Sequence, residues 1–227
     1  MAENMQHWTP RQRPQALTLE GRFVRLEKLE ARHTAELFAA SATAEADVRF
    51  TWLPEAPPSD LASFGGWVEK VAQSEDPIFF AIIDKASGKV AGRQTLMRID
   101  AVHGVVEIGN IYWGPLMARK PAATEALYLF AQYVFDTLGY RRFEWICNDD
   151  NAPSKQAALR FGFQAEGVFR QHMVVKGLNR DTAWFAMIDK DWVKLKPAYE
   201  AWLAAENCDA DGQQKRRLED IRAELGA

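Results

Sequence analysis

The sequence predicts a mixed α/β fold in which one sheet combines antiparallel strands with a single parallel crossover. Three segments, Ile78–Asp84, 90–99 and Val105–Trp113, read as strands separated by short turns, which favours an antiparallel meander. A helix over 122–138 then leads to a strand over 142–147, and a helix of that length between strands is typical of a parallel crossover. With 227 residues, 48% of them hydrophobic, the chain can bury a sizeable core. We therefore expect a mostly antiparallel sheet with helices on both faces.

Composition excludes several classes of partner. The formal net charge is −3 and the pI is near 5.9, so neither nucleic acid nor an anionic membrane surface is an expected partner. The N-terminal residues 1–15 are polar and lack the apolar run of a signal peptide, and no apolar run reaches membrane-spanning length. The two cysteines, Cys147 and Cys208, form no CxxC motif or disulfide framework. A cytoplasmic protein is predicted.

The N-terminal part is expected to contain, in chain order, a lead-in, a strand and a helix. Residues 1–18 contain Pro10 and Pro14 and read as a loose lead-in. Residues 22–26 alternate like a half-buried strand. Residues 31–42 read as a helix whose His33, Thr34 and Glu36 face outward.

An aromatic, proline-marked loop over 50–54 should separate that helix from the next one. Ser59 or Asp60 is a suitable N-cap for a second helix that runs to about residue 73. The strand Ile78–Asp84 is apolar throughout, so we expect it to be central and covered on both faces.

The C-terminal half should contain a capped helix, a hairpin and an extension. Gly139 stands where the helix over 122–138 needs a left-handed cap. A short helix starts at Asn151, and strands over 162–171 and 182–188 form a hairpin joined through 176–181. We divide the chain into the lead-in 1–18, a domain over 19–190 and a helical extension over 191–227.

A narrow apolar stripe in the extension suggests a docking surface. Leu218, Ile221 and Leu225 recur at helical spacing among charged residues. Such a stripe is too thin to hold an isolated helix, so it should dock on the body of the chain or on a second subunit. We favour a homodimer.

The junction over 114–130 has the form of a strand, a turn and a helix. A helix N-terminus attracts phosphate through its unpaired N–H groups and partial positive charge, and Arg119 and Lys120 add two cations just before it. Proline is well suited to the first helical turn, and Pro121 stands there. On these residues alone, a phosphate site and a plain helix start are equally open.

The order of elements, together with three segments, resembles the GNAT family of acyl-CoA-dependent N-acyltransferases. The segments are 19–26, 106–109 leading into 123–126, and 151–154 with 161–163. Within the family, the chain looks most like the ribosomal-protein N-terminal acetyltransferases of the RimJ/RimL type. The resemblance covers about residues 17–190. It implies the GNAT-type sheet and transfer of an acyl group, acetyl or a larger one, from acyl-CoA to an amine.

The resemblance assigns a cofactor loop. Residues 118–123 occupy the place of the family's pyrophosphate loop, Q/R-x-x-G-x-G/A, with Ala123 at its last position and Pro121 in place of the central glycine. The proline removes one amide, and the two cations of the loop could offset that loss. The residues expected to bind acyl-CoA are Leu116, Met117, Ala118, Arg119, Lys120, Pro121, Ala122, Ala123, Thr124 and Asn151.

Asn151 and Ser154 match the family's Asn-x-x-Ser pattern. The resemblance implies that Asn151 reaches the pantetheine arm and that Ser154 lies near the sulfur, where it could protonate the departing thiolate. Asparagine is also a preferred helix cap, so Asn151 is expected to serve both purposes.

Glu107 is the candidate general base. It stands on a strand whose faces are largely apolar, and burial raises the pKa of a carboxyl group toward neutrality. The alternative is an edge-facing or ion-paired glutamate. Asn110 and Tyr112, which have the opposite parity along the strand, could instead orient a water molecule.

The acceptor site is expected at Phe50, Trp52 and Leu53, because this family shapes its acceptor site between the first two helices. Exposed aromatic residues in a loop favour a pocket for an amine with an apolar neighbouring group, although folding back onto the core is nearly as probable.

Other chemistries lack their motifs. Four scattered histidines give no metal-ligand spacing, no GxSxG is present, and Cys147 reads as a core residue. The rival hypothesis is a catalytically silent module that binds CoA or another ligand.

Overall fold

The protein, described by a computed structural model over residues 4–209 and 213–226, contains one eight-stranded sheet. The strands are β1 (Leu19–Glu20), β2 (Val24–Lys28), β3 (Ile78–Asp84), β4 (Val90–Asp100), β5 (Val105–Trp113), β6 (Arg142–Asn148), β7 (Gln164–Val175) and β8 (Leu178–Ile188). Their spatial order is β1-β2-β3-β4-β5-β6-β8-β7, and only β5 and β6 run parallel. The predicted fold class and the single parallel crossover are confirmed.

Seven α-helices accompany the sheet in the described part of the chain. They are α1 (Thr34–Ser41), α2 (Ala46–Phe50), α3 (Leu61–Ala72), α4 (Pro121–Gln132), α5 (Ala152–Arg160), α6 (Asp189–Leu203) and α7 (Leu218–Glu224). The last turn after α4, Tyr133–Thr137, is π-helical, so the predicted helix is continuous but changes its pitch. Gly139 follows with φ of 66°, which confirms the left-handed cap.

The central strand β3 separates two layers of side chains. Every residue from Ile78 to Ile83 is buried, as predicted. Phe80 packs edge-to-face on Phe130 of α4, while Phe79 packs on Trp67 of α3. Alternate side chains of one strand thus build the cores on both faces of the sheet.

A buried carboxylate fixes the start of α4 against the N-terminal strands. Glu125 accepts hydrogen bonds from the backbone N–H groups of Arg22, Phe23 and Val24, at 2.7, 2.6 and 2.8 Å. Gly21 is required beside it, because a Cβ there would lie 2.3 Å from a Glu125 oxygen. The start of α4, and with it the preceding loop, is therefore held in place against the N-terminal strands.

Three local expectations were wrong. His33 is buried rather than outward, because its Nε2 bonds Glu27 Oε1 at 2.8 Å and completes a buried polar pair. Helix α2 reaches Phe50, at the start of the predicted loop. The hairpin turn is shorter than 176–181, because Lys176 and Gly177 both adopt positive φ and connect β7 to β8 directly.

The extension docks on the body of its own chain. The Tyr199 hydroxyl of α6 donates to Phe161 O at 2.7 Å, and Arg222 of α7 donates to Leu159 O and Arg160 O at 3.0 and 2.9 Å. In the predicted stripe, Leu218 and Ile221 are buried whereas Leu225 is 53% exposed. Docking on the body is confirmed, so the stripe gives no argument for a homodimer.

No helix in the described ranges is long and apolar enough to cross a membrane.

We predict that Ile221→Ala lowers the free energy of unfolding by about 2–4 kcal/mol, because it removes buried methyl groups from the contact between α6 and α7. Leu225→Ala is the matched control on the same helix and should change stability by less than about 0.5 kcal/mol. Urea unfolding measures both. Equally small effects would show that α7 is not docked in solution.

Candidate functional site

Strands β5 and β6 separate partway along their length. Their parallel pairing runs from Val105 opposite Arg142 to Ile108 opposite Trp145 and ends there. Beyond Ile108, β5 continues to Trp113 without pairing to β6. The sheet therefore opens on the side where α4 and α5 begin.

A bulge in β5 marks the point of separation. Thr95 pairs with Gly109 but Arg93 pairs with Tyr112, so β5 contains one extra residue, and Asn110 has φ of 47°. The extra residue reverses the side-chain alternation. Val106 and Ile108 lie in the core under α4, and Ile111 packs there too, whereas Tyr112 packs against Phe50 on the other face. Tyr112 thus lies on the face of Glu107, and its predicted opposite parity is wrong.

A cleft of about 670 Å³ adjoins the bulge. It is lined by the end of β5, the loop and first turn of α4, one face of α5, and residues of the C-terminal extension. Its aromatic wall includes Trp113 and Phe161, whose rings meet edge-to-face at 5.9 Å. The lining residues are Arg49, Ile111, Tyr112, Trp113, Ala118, Arg119, Lys120, Pro121, Ala123, Thr124, Pro153, Ala157, Arg160, Phe161, Trp202, Gln213 and Gln214.

The loop before α4 has few free amides. The N–H groups of Ala118, Lys120 and Ala123 already donate to backbone carbonyls at 2.9–3.1 Å, and Pro121 has none. The amides of Arg119 and Ala122 have no partner within the described ranges. Arg119 also adopts the left-handed conformation, with φ of 61°. The loop therefore relies on its cations more than a glycine-rich loop would.

Three cations surround this end of the cleft. Arg119 and Lys120 are exposed and form no ion pair with any described residue. Arg160 donates to Thr124 Oγ1 at 3.1 Å, and its guanidinium lies 5.2 Å from the ring centres of both Phe161 and Trp202. The start of α4 adds its partial positive charge, so this end is suited to a polyanion.

The predicted cofactor residues divide into two groups. Ala118, Arg119, Lys120, Pro121, Ala123 and Thr124 line the cleft. Leu116, Met117, Ala122 and Asn151 do not: Met117 and Ala122 are buried in the core, and Leu116 is exposed outside the cleft wall.

Asn151 and Ser154 form the start of α5, as their sequence pattern predicts. Asn151 Oδ1 accepts from Ser154 N at 3.2 Å and caps the helix. Ser154 Oγ accepts from Trp145 Nε1 at 2.9 Å. Ser154 does not itself line the cleft, but it lies one turn before Ala157, which does.

Sequence reasoning missed several cleft residues. Pro153, Ala157 and Arg160 repeat at helical spacing on α5, and that period could have identified Arg160. Three further lining residues belong to the extension: Trp202, Gln213 and Gln214. They reach the cleft only because α6 docks on the body of the chain, and no local sequence pattern indicates that docking.

Glu107 is a buried carboxylate with one unsatisfied oxygen. It is 5% exposed, and its Oε2 has no hydrogen-bond partner in the described structure, although Arg98 Nε lies 3.1 Å away, out of line. Burial raises the pKa of Glu107 to about 7, and Arg98 partly opposes this shift. A group with that pKa can accept a proton near neutral pH.

Neighbouring residues restrict the position of the Glu107 side chain. Arg98 has φ of 49°, and Asp76 accepts its backbone N–H at 2.8 Å. Gly109 leaves room for these side chains, because a Cβ there would lie 2.3 Å from Met97 Sδ and 3.1 Å from Glu107 Oε1 and would displace them. Arg98 also reaches over the ring of Trp184 on β8, at 5.7 Å.

The expected acceptor residues do not share one environment. Phe50 and Leu53 are buried against Tyr112, so their predicted exposure is wrong: the aromatic segment folds back onto the sheet. Trp52 is 40% exposed. Lys176 at the hairpin tip donates to Phe50 O at 3.1 Å, so the hairpin and this segment meet.

Within residues 4–209 and 213–226, no group of three or more His, Cys, Asp or Glu side chains is placed to hold a metal ion.

Comparison with known proteins identifies close relatives. A family model described as acetyltransferase (GNAT) domain matches residues 24–164. A GCN5-related N-acetyltransferase from Brucella melitensis is 62% identical, with a TM-score of 0.95 over 96% of this chain and 99% of that chain.

Two more distant proteins are also named acetyltransferases. The uncharacterized N-acetyltransferase p20 of Bacillus licheniformis is 30% identical over 117 residues, which are 50% of this chain and 63% of that protein. The microcin self-immunity acetyltransferase MccE, solved in complex with acetyl-CoA and AMP, has a TM-score of 0.64 at 22% identity over 74% of this chain and 93% of that chain.

We predict that Glu107→Gln stabilises the fold in a pH-dependent way. A carboxyl group whose pKa rises from 4.5 to about 7 on folding binds its proton more tightly in the native state, so wild-type stability falls as pH rises through this window. Above pH 7 the variant should be more stable by up to about 3 kcal/mol, and the gap should close toward pH 4.5. Urea unfolding at several pH values measures it. A pH-independent gap would contradict the assignment.

Proposed function

We propose that this chain, which belongs to the GNAT acetyltransferase family, transfers an acyl group from acyl-CoA to a primary amine by direct attack. The acyl group is acetyl in the first instance, and the acceptor is a small molecule or a peptide or protein N-terminus. One observation carries this proposal. A cationic cleft leads to the bulge of β5, and the same strand bears the buried carboxylate of Glu107, one of whose oxygens accepts no hydrogen bond from the described residues.

The cleft supports acyl-CoA as the co-substrate. The pyrophosphate would lie at the start of α4 against Arg119, Lys120 and Arg160, where cations and the helix N-terminus coincide. The pantetheine arm would run along Trp113 and Phe161 toward β5. MccE, which shares the fold, was solved in complex with acetyl-CoA, and this supports acyl-CoA as the co-substrate.

The bulge supplies a hydrogen-bond donor for the thioester carbonyl. Asn110 and Ile111 have no pairing partner on β4 or β6. Ile111 lines the cleft, so its backbone N–H is the candidate donor. A fixed amide of this kind stabilises the negative charge that develops on the oxygen during attack.

Glu107 is proposed to accept a proton from the ammonium group of the acceptor, directly or through a water molecule, which gives the neutral amine that attacks the thioester carbon. With a pKa of about 7 it is substantially ionised at neutral pH, and its buried Oε2, which lies 3.1 Å from Arg98 Nε, accepts no hydrogen bond within the described structure. Ser154 is proposed as the proton donor to the thiolate, since its Oγ accepts from Trp145 and leaves its own O–H to donate.

The acceptor is proposed to enter from the side of Trp52 and the β7–β8 hairpin. Phe169 and Met173 of β7 are exposed, at 53% and 38%, and give this side an apolar character. An amine with an apolar neighbouring group suits it. A ribosomal-protein N-terminus, as in the RimJ/RimL branch, is one acceptor of that kind.

A silent CoA-binding module is the second candidate. The observation in its favour is that three loop amides are already bonded and a fourth is replaced by proline, while Arg98 stands beside the proposed base. Release of free CoA thiol in the presence of a panel of amines separates the two candidates, because only an acyltransferase gives amine-dependent release.

We predict that Glu107→Gln lowers turnover about 100-fold or more, the usual contribution of a general base. Wild-type turnover should rise with pH through about 7, and the variant should lack that rise. Thiol release measures both. Glu27→Gln is a matched control, because Glu27 is also a buried, ion-paired carboxylate but stands on β2 and does not line the cleft. Near-wild-type turnover in Glu107→Gln would remove it from the base role.

We predict that Arg119→Gly combined with Lys120→Ala weakens CoA binding by roughly 1–3 kcal/mol and flattens its salt dependence. Glycine is chosen at position 119 because it tolerates the positive φ found there. Titration calorimetry at two salt concentrations gives the affinities, with Lys89→Ala, an exposed lysine outside the cleft, as the control. Unaltered affinity would mean that both cations are only solvated.

A further inference from the structure

Arg93 is a charged side chain inside the sheet. It lies near the middle of β4 and is 1% exposed. A buried guanidinium strongly destabilises a fold unless its donors and its charge are satisfied. Its partners therefore indicate what it holds in place.

The polar contacts of this guanidinium converge on the bulge and one loop. Nη1 donates to Asn110 O at 3.0 Å and also to the Asn110 side-chain oxygen. Nη2 pairs with Glu55, between α2 and α3. The guanidinium carbon lies 4.7 Å from the ring centre of Trp67 and 5.9 Å from that of Phe79. Its orientation is thus fixed at several points.

The contact with Asn110 sets the direction of the next amide. In a trans peptide the carbonyl of one residue and the N–H of the following residue point to opposite sides. The Asn110 carbonyl bonds the Arg93 guanidinium, which lies on the α3 face of the sheet beside Trp67 and Phe79. The Ile111 N–H must therefore point away from that face, toward the face on which Ile111 lines the cleft. The preceding peptide is held similarly, since Thr95 Oγ1 donates to Gly109 O at 2.9 Å.

We propose that Arg93 is a positioning residue that aims the Ile111 amide at the thioester carbonyl, with Glu55 as its fixed counter-ion. Glu55 and Trp52 belong to the same short segment, so one arginine connects the acceptor side to the amide. This inference rests on the proposed acyl transfer. It adds a role for two residues that touch neither reacting group.

A merely structural role for Arg93 has different consequences. Loss of a structural ion pair lowers the free energy of unfolding but leaves turnover by the folded molecules unchanged. Loss of a positioning residue lowers kcat in folded molecules, while CoA affinity, which depends on the α4 end of the cleft, stays near its wild-type value.

The first experiment compares Arg93→Lys with Arg11→Lys. Arg11 is the matched control, because it also donates to a backbone carbonyl, that of Gly139 at 3.0 Å, and lies over a tryptophan ring, that of Trp8. Arg93→Lys should lower kcat about 10- to 100-fold with CoA affinity within about threefold of wild type, since a lysine cannot bond Asn110 and Glu55 in the same planar geometry. Arg11→Lys should keep kcat. Unchanged kcat in folded Arg93→Lys would overturn the proposal.

The second experiment observes the amide itself and does not depend on turnover. In ¹⁵N spectra of the wild type, acetyl-CoA should shift the Ile111 amide resonance more than free CoA does, and Glu55→Gln should reduce that difference. If Arg93→Lys does not fold, Glu55→Gln, whose position is only partly buried, carries the test. Equal shifts with CoA and acetyl-CoA in the wild type would overturn the inference. If acetyl-CoA shifts the Ile111 amide more than CoA does but no amine is acylated, only the proposed acyl transfer is rejected.

Discussion

The opening of the sheet between β5 and β6 depends on one constraint, the unpaired backbone of the β5 bulge. A central strand that stops pairing on one side leaves carbonyls and amides without partners inside a protein, which is unfavourable unless side chains replace the missing strand. Here two side chains of β4, Thr95 and Arg93, bond the carbonyls of Gly109 and Asn110 in the bulge. The cleft, the candidate donor amide and the buried carboxylate all take their positions from this bulge.

The two faces of β5 at the bulge provide two different chemical environments. On the α4 face, cations and an aromatic wall suit a long polyanionic cofactor. On the other face, burial raises the pKa of Glu107 to about 7. Because the bulge reverses the alternation, Glu107 and Tyr112 share a face although Tyr112 stands five positions after Glu107.

Much of the fold follows from the sequence because its signals are local. The apolar run of β3, the short turns of the meander and the left-handed Gly139 are each decided by a few neighbouring residues. The cleft residues between Ala118 and Thr124 were indicated by the family resemblance, because a helix start beside two cations left a phosphate site and a plain helix start equally open. The bulge at Asn110, the burial of Phe50 and the arrival of Trp202 could not be predicted this way, because distant partners decide them: Arg93, Tyr112 and the docking of α6.

The docked extension lies beyond the matched family region, yet it contributes Trp202 to the cleft and two carbonyl contacts, from Arg222, to the end of α5. Any ligand that contacts both walls would bind only the docked form. By mass action, such a ligand and the extension must then stabilise each other to the same extent. Occupancy of the cleft and docking of α6 and α7 would thus be thermodynamically linked, so the cellular supply of that ligand would set how often these helices open to proteases.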